Sequence, residues 1–387
     1  MSTQVYDLLV VGGGALGTFH AYHALQRGLR VALVERHSQP QGATVRNFGQ
    51  VVPSGQNAEY QRYGRKSLEV YQSLQAQGEF SIRQLGSIYL ASDAEEMQLV
   101  EELAAINRSN DYRSEVWTKA QCYAKYPDLH PNYCVGGLFF PEEISVNPRM
   151  LIHRVLAYLR TFSNFTYFPN TLIQSIDSAG AHCVTTDLNG NTYTAEKVIV
   201  CGGHEFQWLY PEIFQRSDIE LVKLQMLRLK PQQSVKIPGN ILTGLSIRRY
   251  ESFEACPSYA EIHAREAQDT FWKQWSVHIL FKQEDDGSIV LGDSHQYTDV
   301  QQQDGLDFYI REDVTRYFIE EGAKIFNLEH WNIDDQWLGI YSQCKEHDIF
   351  QATVNGKVHI ATAIGGKGMT ASAGFSFDNI AKIYGKH

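Results

Sequence analysis

The sequence predicts an α/β protein of two units, one built on a parallel, helix-covered sheet and the other on a mixed or antiparallel sheet. Three observations predict it. An apolar run at the amino end, Tyr6-Asp7-Leu8-Leu9-Val10-Val11, drives straight into glycines spaced G-x-G-x-x-G at Gly12, Gly14 and Gly17. The strand-into-glycine device recurs at 201–203 and 365–368. From Glu220 the pattern changes to segments that alternate or run apolar, spaced by Pro and Asp-Gly turns.

The first unit reads as strand, glycine turn, helix from about Ala15 to Gln26, stop at Gly28, and a second strand, Arg30–Val34, ending on Glu35. Ala21, Ala24 and Leu25 are expected on the inner helix face. Gly12 permits the tight turn, Gly14 lets a pyrophosphate approach the backbone, and Gly17 lets the helix lie close to the sheet. Free amides at Ala15, Leu16 and Gly17, with the helix dipole, favour a bound diphosphate by roughly 0.3–2 kcal/mol. Glu35 stands where a carboxylate accepts ribose hydroxyls and repels a 2′-phosphate. The spacing predicts a Rossmann-like site for an adenine dinucleotide.

Composition narrows the rest. The chain has 387 residues, 43% hydrophobic and 20% charged, with 34 basic against 44 acidic residues. That length suits two domains, and a formal charge of −10 without a basic block argues against nucleic acid as a partner. Six scattered cysteines without a C-x-x-C pattern argue against zinc or a disulfide framework and point to a reducing, cytoplasmic setting. No segment is long and apolar enough to predict a transmembrane helix.

After Glu35 the chain enters a glycine-bearing loop, Arg36 to Gln50, holding Ala43, Thr44, Arg46 and Asn47. Here the sequence resembles the D-amino-acid-oxidase superfamily of flavoproteins, which includes glycine and sarcosine oxidases. The resemblance implies a glutathione-reductase-type FAD-binding domain, with this loop along the flavin. It implies that Cys201, Gly202 and Gly203 form a second FAD segment, and that Gly365, Gly366, Lys367, Gly368, Met369 and Thr370 aim helix amides at the flavin ring. By itself Cys201 reads as a small buried residue. A discontinuous FAD-binding domain of 1–75, 145–217 and 335–387, with a substrate domain of 76–144 and 218–334, follows from the same resemblance.

The intervening elements read in order. Helices are expected over Glu59–Gln77, Asp93–Arg108 and Arg149–Thr161, with another short one opening near Trp117 and closed by Pro127. Strands are expected at Ser87–Ala91, near Phe165–Phe168, Thr171–Ser175 and His182–Thr186, then at Lys197–Val200. The second sheet is assigned Leu221–Leu229, Trp275–Phe281 and Ser288–Leu291, with a helix near Phe308–Phe326 against it. Val358–Ile364 is a buried strand, and a helix runs from the last glycines to about Tyr384.

For chemistry, the resemblance implies that a small-molecule amine gives a hydride to the flavin, with oxygen or a quinone as the final acceptor and an imine hydrolysed to a carbonyl. Lys367, or the helix start beside it, is the candidate positive group for the reduced flavin. Relatives carry W-x-G-x-R-P, whose arginine clamps a substrate carboxylate. Here Trp337-Leu338-Gly339-Ile340-Tyr341 puts Tyr341 at that place. Gly339 stands where a tethering cysteine would be, so FAD is expected to be noncovalent. Val45-Arg46-Asn47-Phe48-Gly49, Pro53-Ser54-Gly55-Gln56 and Lys223-Leu224-Gln225-Met226 resemble a clade associated with aminophosphonate breakdown. A phosphonate dianion wants several cationic or imidazole donors, and Arg46, Lys223, Arg248, Arg249 and His204 are the candidates. The alternative is an amino acid, an N-methyl amino acid or a 2-hydroxy acid. The residues leave the oligomeric state open.

Overall fold

In the computed structural model, which describes residues 4–268 and 270–385, two eight-stranded sheets carry the chain. The first has a parallel centre, in the order Phe165–Phe168, Val31–Val34, Val5–Val11, Thr192–Val200 and Val358–Thr362. Its innermost segments, Leu8–Val11, Val31–Val34 and Val198–Val200, read as apolar runs because both faces are covered. Leu8, Leu9, Val10 and Val31 to Val34 are all buried. Three antiparallel strands, Ile173–Asp177, Cys183–Asp187 and Phe350–Val354, complete it.

Helices Ala15–Gln26, Ala58–Gln77, Pro148–Leu159 and Gly368–Tyr384 share one apolar core with a face of this sheet. The last helix is wedged between the first two. A Cβ on Gly374 would lie 2.1 Å from the Tyr63 carbonyl. The Tyr71 hydroxyl donates to Met369 O (2.8 Å), and His23 Nε2 bonds Ala373 O (2.8 Å).

The second sheet runs Ile333–Cys344, Ile219–Leu229, Ile289–Asp299, Leu280–Gln283, Asn240–Leu242, Ser87–Ala91, Gly136–Phe140, Glu115–Thr118. It is antiparallel except between Asn240–Leu242 and Ser87–Ala91, so it is mixed as expected. Several boundaries differ from the sequence reading. Ile333–Cys344, assigned above to the cofactor domain, is bonded along its length to Ile219–Leu229 in this sheet. The expected strand at Trp275–Phe281 shrinks to Leu280–Gln283 behind a short helix, Phe271–Gln274, whereas Ile289–Asp299 runs well past Leu291. The helix near Phe308–Phe326 is confined to Glu312–Ala323. Long strands such as these are fixed by partners distant in sequence, which local alternation does not register.

A three-stranded patch, Gln50–Val51, Ile144–Val146 and Ile82–Arg83, bridges the two sheets. Beneath it lies Glu143, fully buried. Its Oε1 accepts from Ser54 N (2.8 Å) and from the Tyr112 hydroxyl (2.7 Å), and Ser54 Oγ meets the Tyr89 hydroxyl at 3.1 Å. Burial pushes its carboxyl up to about 7 against hydrogen bonds that pull the other way. The native state therefore holds the Glu143 proton after the unfolded chain has lost it. Stability falls as pH rises from the ordinary glutamate range to about 7, by roughly 3 kcal/mol in all. Glu143→Gln, which keeps the accepting oxygen without the charge, is expected to flatten that slope. Melting temperatures of both proteins at mildly acidic and mildly alkaline pH check it; parallel curves refute it.

Candidate active site

The three glycine junctions meet because their strands are neighbours in register. Val11 lies opposite Val200, and Val200 opposite Ile360. Cys201 N donates to Val11 O (2.8 Å), while Gly203 O accepts from Thr362 Oγ1 (2.7 Å) and Ser342 Oγ (3.0 Å). Two glycines are sterically required here. Gly12 has φ +99°, and a Cβ there would stand 2.3 Å from Cys201 O. A Cβ on Gly17 would lie 1.9 Å from Gly12 O.

Around these turns opens a cavity of about 510 Å3. Gly12, Gly14, Ala15, Leu16 and Gly17 line one end with Glu35, Arg36, Ala43, Thr44, Arg46 and Asn47. Cys201, Gly202, Gly203 and His204 line its middle, with Gly339, Tyr341, Gly365, Gly366, Lys367, Gly368, Met369 and Thr370 further in. Arg248 and Lys223 are absent from its wall.

The wall suits a long dinucleotide such as the FAD the resemblance implies. The first-turn amides of Ala15–Gln26 have no carbonyl one turn back. Thr44 Oγ1 takes only Ala15 N (2.9 Å), and Thr370 Oγ1 takes Val52 N (3.1 Å). The Ser372 hydroxyl and Gln56 Oε1 are buried on this wall with no partner among the described residues. Gly14 to Gly17 would hold the diphosphate, Glu35 the ribose, and Ala43 to Asn47 with Gly365 to Thr370 the ring end. Glu35 also braces the turn, its Oε2 accepting from Gly13 N (2.8 Å) and its Oε1 from His37 N (3.0 Å). Cys344 is not on the wall, whereas Gly339 is. Burial raises the Cys201 thiol far above its usual range, leaving it neutral and unreactive.

Four cationic side chains line the cavity among the described residues. Arg36 faces Glu205 at 3.6 Å. Lys367, the expected positive group, is paired with Glu251 (2.8 Å) and Asp348, so its charge is already offset. Arg46 Nε and Nη1 donate to Gln41 O (2.9 Å) and Leu338 O (3.2 Å), stapling the loop to the second sheet. Asn47 is likewise a brace, bonded to Ala43 O, Thr44 O and Gly49 N. Arg249 makes one bond, from Nη1 to Val277 O (3.0 Å), and no carboxylate lies within ion-pair distance among the described residues.

Around Arg249 the inner end is walled by Tyr250, His278, Leu280, Asp293, His295, Tyr297 and Tyr341. Their rings form a chain, with centroids 5.1 Å apart for Tyr250–His278, 5.7 Å for His278–His295 and 6.3 Å for His295–Tyr341. Burial, then the charges of Arg249 and His295, hold His278 neutral, and burial keeps Tyr341 protonated far above its usual range. Burial together with the Arg36 and Arg46 charges lowers His204, which sits at the cofactor end rather than here.

Two candidates fall elsewhere. Arg248 is gripped by Asp93 (2.7 Å), Glu96 (2.9 Å), Glu266 (3.2 Å) and Glu95 (3.6 Å). Lys223, 2% exposed, pairs with Asp307 at 2.5 Å on the opposite face of the sheet from Leu224. The sequence reading missed His278, Asp293, His295, Tyr250 and Tyr297. One signal was available: Asp293, His295 and Tyr297 recur at every second position of Ile289–Asp299 and so share one face.

Comparisons with known proteins bear on the family and the fold. A family model described as FAD dependent oxidoreductase matches residues 7–376. Glycerol 3-phosphate oxidase of Mycoplasma genitalium is 25% identical over 251 residues, 60% of this chain and 64% of that protein. N-methyl-L-tryptophan oxidase of Yersinia pestis is 26% identical over 216 residues, 54% and 56% of the two chains. The matched region thus spans less than two thirds of either relative. Glycine oxidase from Geobacillus kaustophilus superposes with a TM-score of 0.79 at 15% identity, covering 100% of this chain and 96% of that one, which shows a shared fold.

Gly17→Ala is expected to cost most of the bound flavin, because its methyl would displace the turn that faces the diphosphate. The ratio of visible flavin to protein absorbance in purified material measures it. Wild-type flavin content in that variant would refute the assignment.

Proposed function

The chain belongs to the family of FAD-dependent oxidoreductases, and on that premise we propose that it oxidises a primary or secondary amine carrying a phosphonate, such as 2-aminoethylphosphonate or an N-methyl or hydroxy relative. The observation that carries this reading is Arg249, a cavity-lining guanidinium with a single carbonyl partner in a chamber of imidazole and phenol groups. Such a set offers several donors to a tetrahedral anion. Tyr341 in place of an arginine supports the same choice, since a planar carboxylate clamp is missing from that strand. The named substrate of the Mycoplasma relative also carries a phosphorus oxyanion.

In this reading Arg249 fixes the anionic end while the ring chain from Tyr250 to Tyr341 excludes water from the reacting carbon. Bound FAD supplies the hydride acceptor. The amide-rich start of Gly368–Tyr384, rather than the neutralised Lys367, offers the positive field at the ring end. The resulting imine is hydrolysed to a carbonyl and a free amine. Oxygen or a quinone reoxidises the cofactor, and the six unpaired, buried cysteines support a cytoplasmic site of action.

A carboxylate substrate, an amino acid or its N-methyl derivative, is the second reading, favoured by the Yersinia relative's named substrate. Flavin bleaching without oxygen separates the two: 2-aminoethylphosphonate is expected to bleach the protein faster than glycine, sarcosine or D-alanine. In Arg249→Ala its apparent affinity should fall about tenfold or more, as the loss of a half-buried charge contact implies. Preference for the carboxylates, or an unchanged affinity, would overturn the phosphonate reading.

A further inference from the structure

Asp293 occupies an irregular place in its strand. Gln225 pairs with Ser294 and Met226 with Gly292, so Asp293 is the unpaired extra residue of a β-bulge. A bulge re-aims a side chain that strict alternation would fix, and bulges cluster beside active sites. Here the carboxylate is turned to the chamber wall, where its Oδ1 is buried with no hydrogen-bond partner among the described residues. Oδ2 lies 3.8 Å from His295 Nε2. His278 Nδ1, on the segment just before Leu280–Gln283, is a second orphan, and His278 N donates to Asp293 O (2.8 Å). Buried polar atoms are nearly always satisfied, so these two orphans facing one cavity ask for a ligand with N–H groups.

From this geometry we infer that Asp293 is the receptor for the substrate's ammonium group and takes its proton, so that the amine meets the cofactor neutral. The inference rests on the amine-oxidation reading and adds to it a named acceptor. The step is a simple transfer: one N–H bond of the ammonium breaks, one O–H bond forms on the carboxylate, and the nitrogen keeps its lone pair. His295 Nδ1 bonds Ser276 O (2.9 Å), which leaves Nε2 as the ring nitrogen turned toward the carboxylate. The groups facing Asp293 are Arg249, His278, His295, Tyr250, Tyr297 and Tyr341. Burial lifts its carboxyl above the usual aspartate range, outweighing the charges of His295 and Arg249, and this makes it a better proton acceptor. With Arg249 for the anion and Asp293 for the amine, the chamber is built for a zwitterion.

The test uses the holoenzyme and its Asp293→Asn and Asp293→Glu variants, with flavin bleaching by 2-aminoethylphosphonate followed anaerobically across pH. The wild-type rate should stay nearly flat well below the pKa of the free amine. The Asn variant should instead track the neutral-amine fraction, falling about tenfold per pH unit, and Glu should restore much of the flat profile. Ethylphosphonate, which lacks the amine, should perturb the flavin spectrum with the same affinity in all three proteins. An Asn variant with the wild-type pH profile overturns the inference. So does loss of ethylphosphonate binding in that variant, which would mean a damaged chamber. If the phosphonates neither bind nor bleach while glycine, sarcosine or D-alanine does, the phosphonate reading fails alone, and the same pH criterion applied with that amine decides Asp293. If no amine bleaches the flavin, both fail.

Discussion

Parallel register at the centre of the first sheet is the constraint on which everything else depends. Val5–Val11, Thr192–Val200 and Val358–Thr362 lie side by side with their carboxyl ends level, so three glycine turns open into one groove. A slip of one residue would reverse every side chain and misalign the turns. The apolar burial of these strands is what holds the register, and at roughly 25 cal/mol per Å2 of apolar surface it far outweighs any single contact to a bound cofactor. Cofactor binding then uses backbone groups that the fold has already aligned.

The second sheet contributes the opposite kind of surface. Where the first offers amides and glycines, the second offers rings and charges from strands joined by long connections. The two are locked by contacts across the groove: Arg46 reaches Leu338 O, Trp337 Nε1 donates to Arg46 O, and Ser342 Oγ donates to Gly203 O. The loop that the resemblance places along the flavin is therefore also the hinge pin between cofactor groove and chamber, and it spends the polar atoms of Arg46 and Asn47 on that task.

What could be read from the sequence was local. Strand, glycines, helix and acid within thirty-odd residues give a complete signature, and Gly12 and Gly17 make the tight turn and the close helix approach it asks for, while Glu35 braces that turn. The inner chamber was not legible for the converse reason. Lys367 looks free until Glu251 and Asp348 arrive from other parts of the chain, and Arg248 and Arg249, adjacent in sequence, have opposite fates because four carboxylates happen to surround the first. Lys223 faces away because strand period, not composition, decides its side. A bulge cannot be seen in one strand alone, since it is defined by the partner's count, so the alternation of Asp293 with His295 and Tyr297 marks a face but not the irregular place.

The wedge formed by Gly368–Tyr384 has a bearing on how the molecule comes apart. Its inner face covers Ala15–Gln26 and Ala58–Gln77, so a local opening of this one helix uncovers apolar surface on both and removes part of the groove wall in the same event. A ligand seated in the groove and not held by the opened state draws that equilibrium toward the closed form, which couples occupancy of the groove to the integrity of the core behind it.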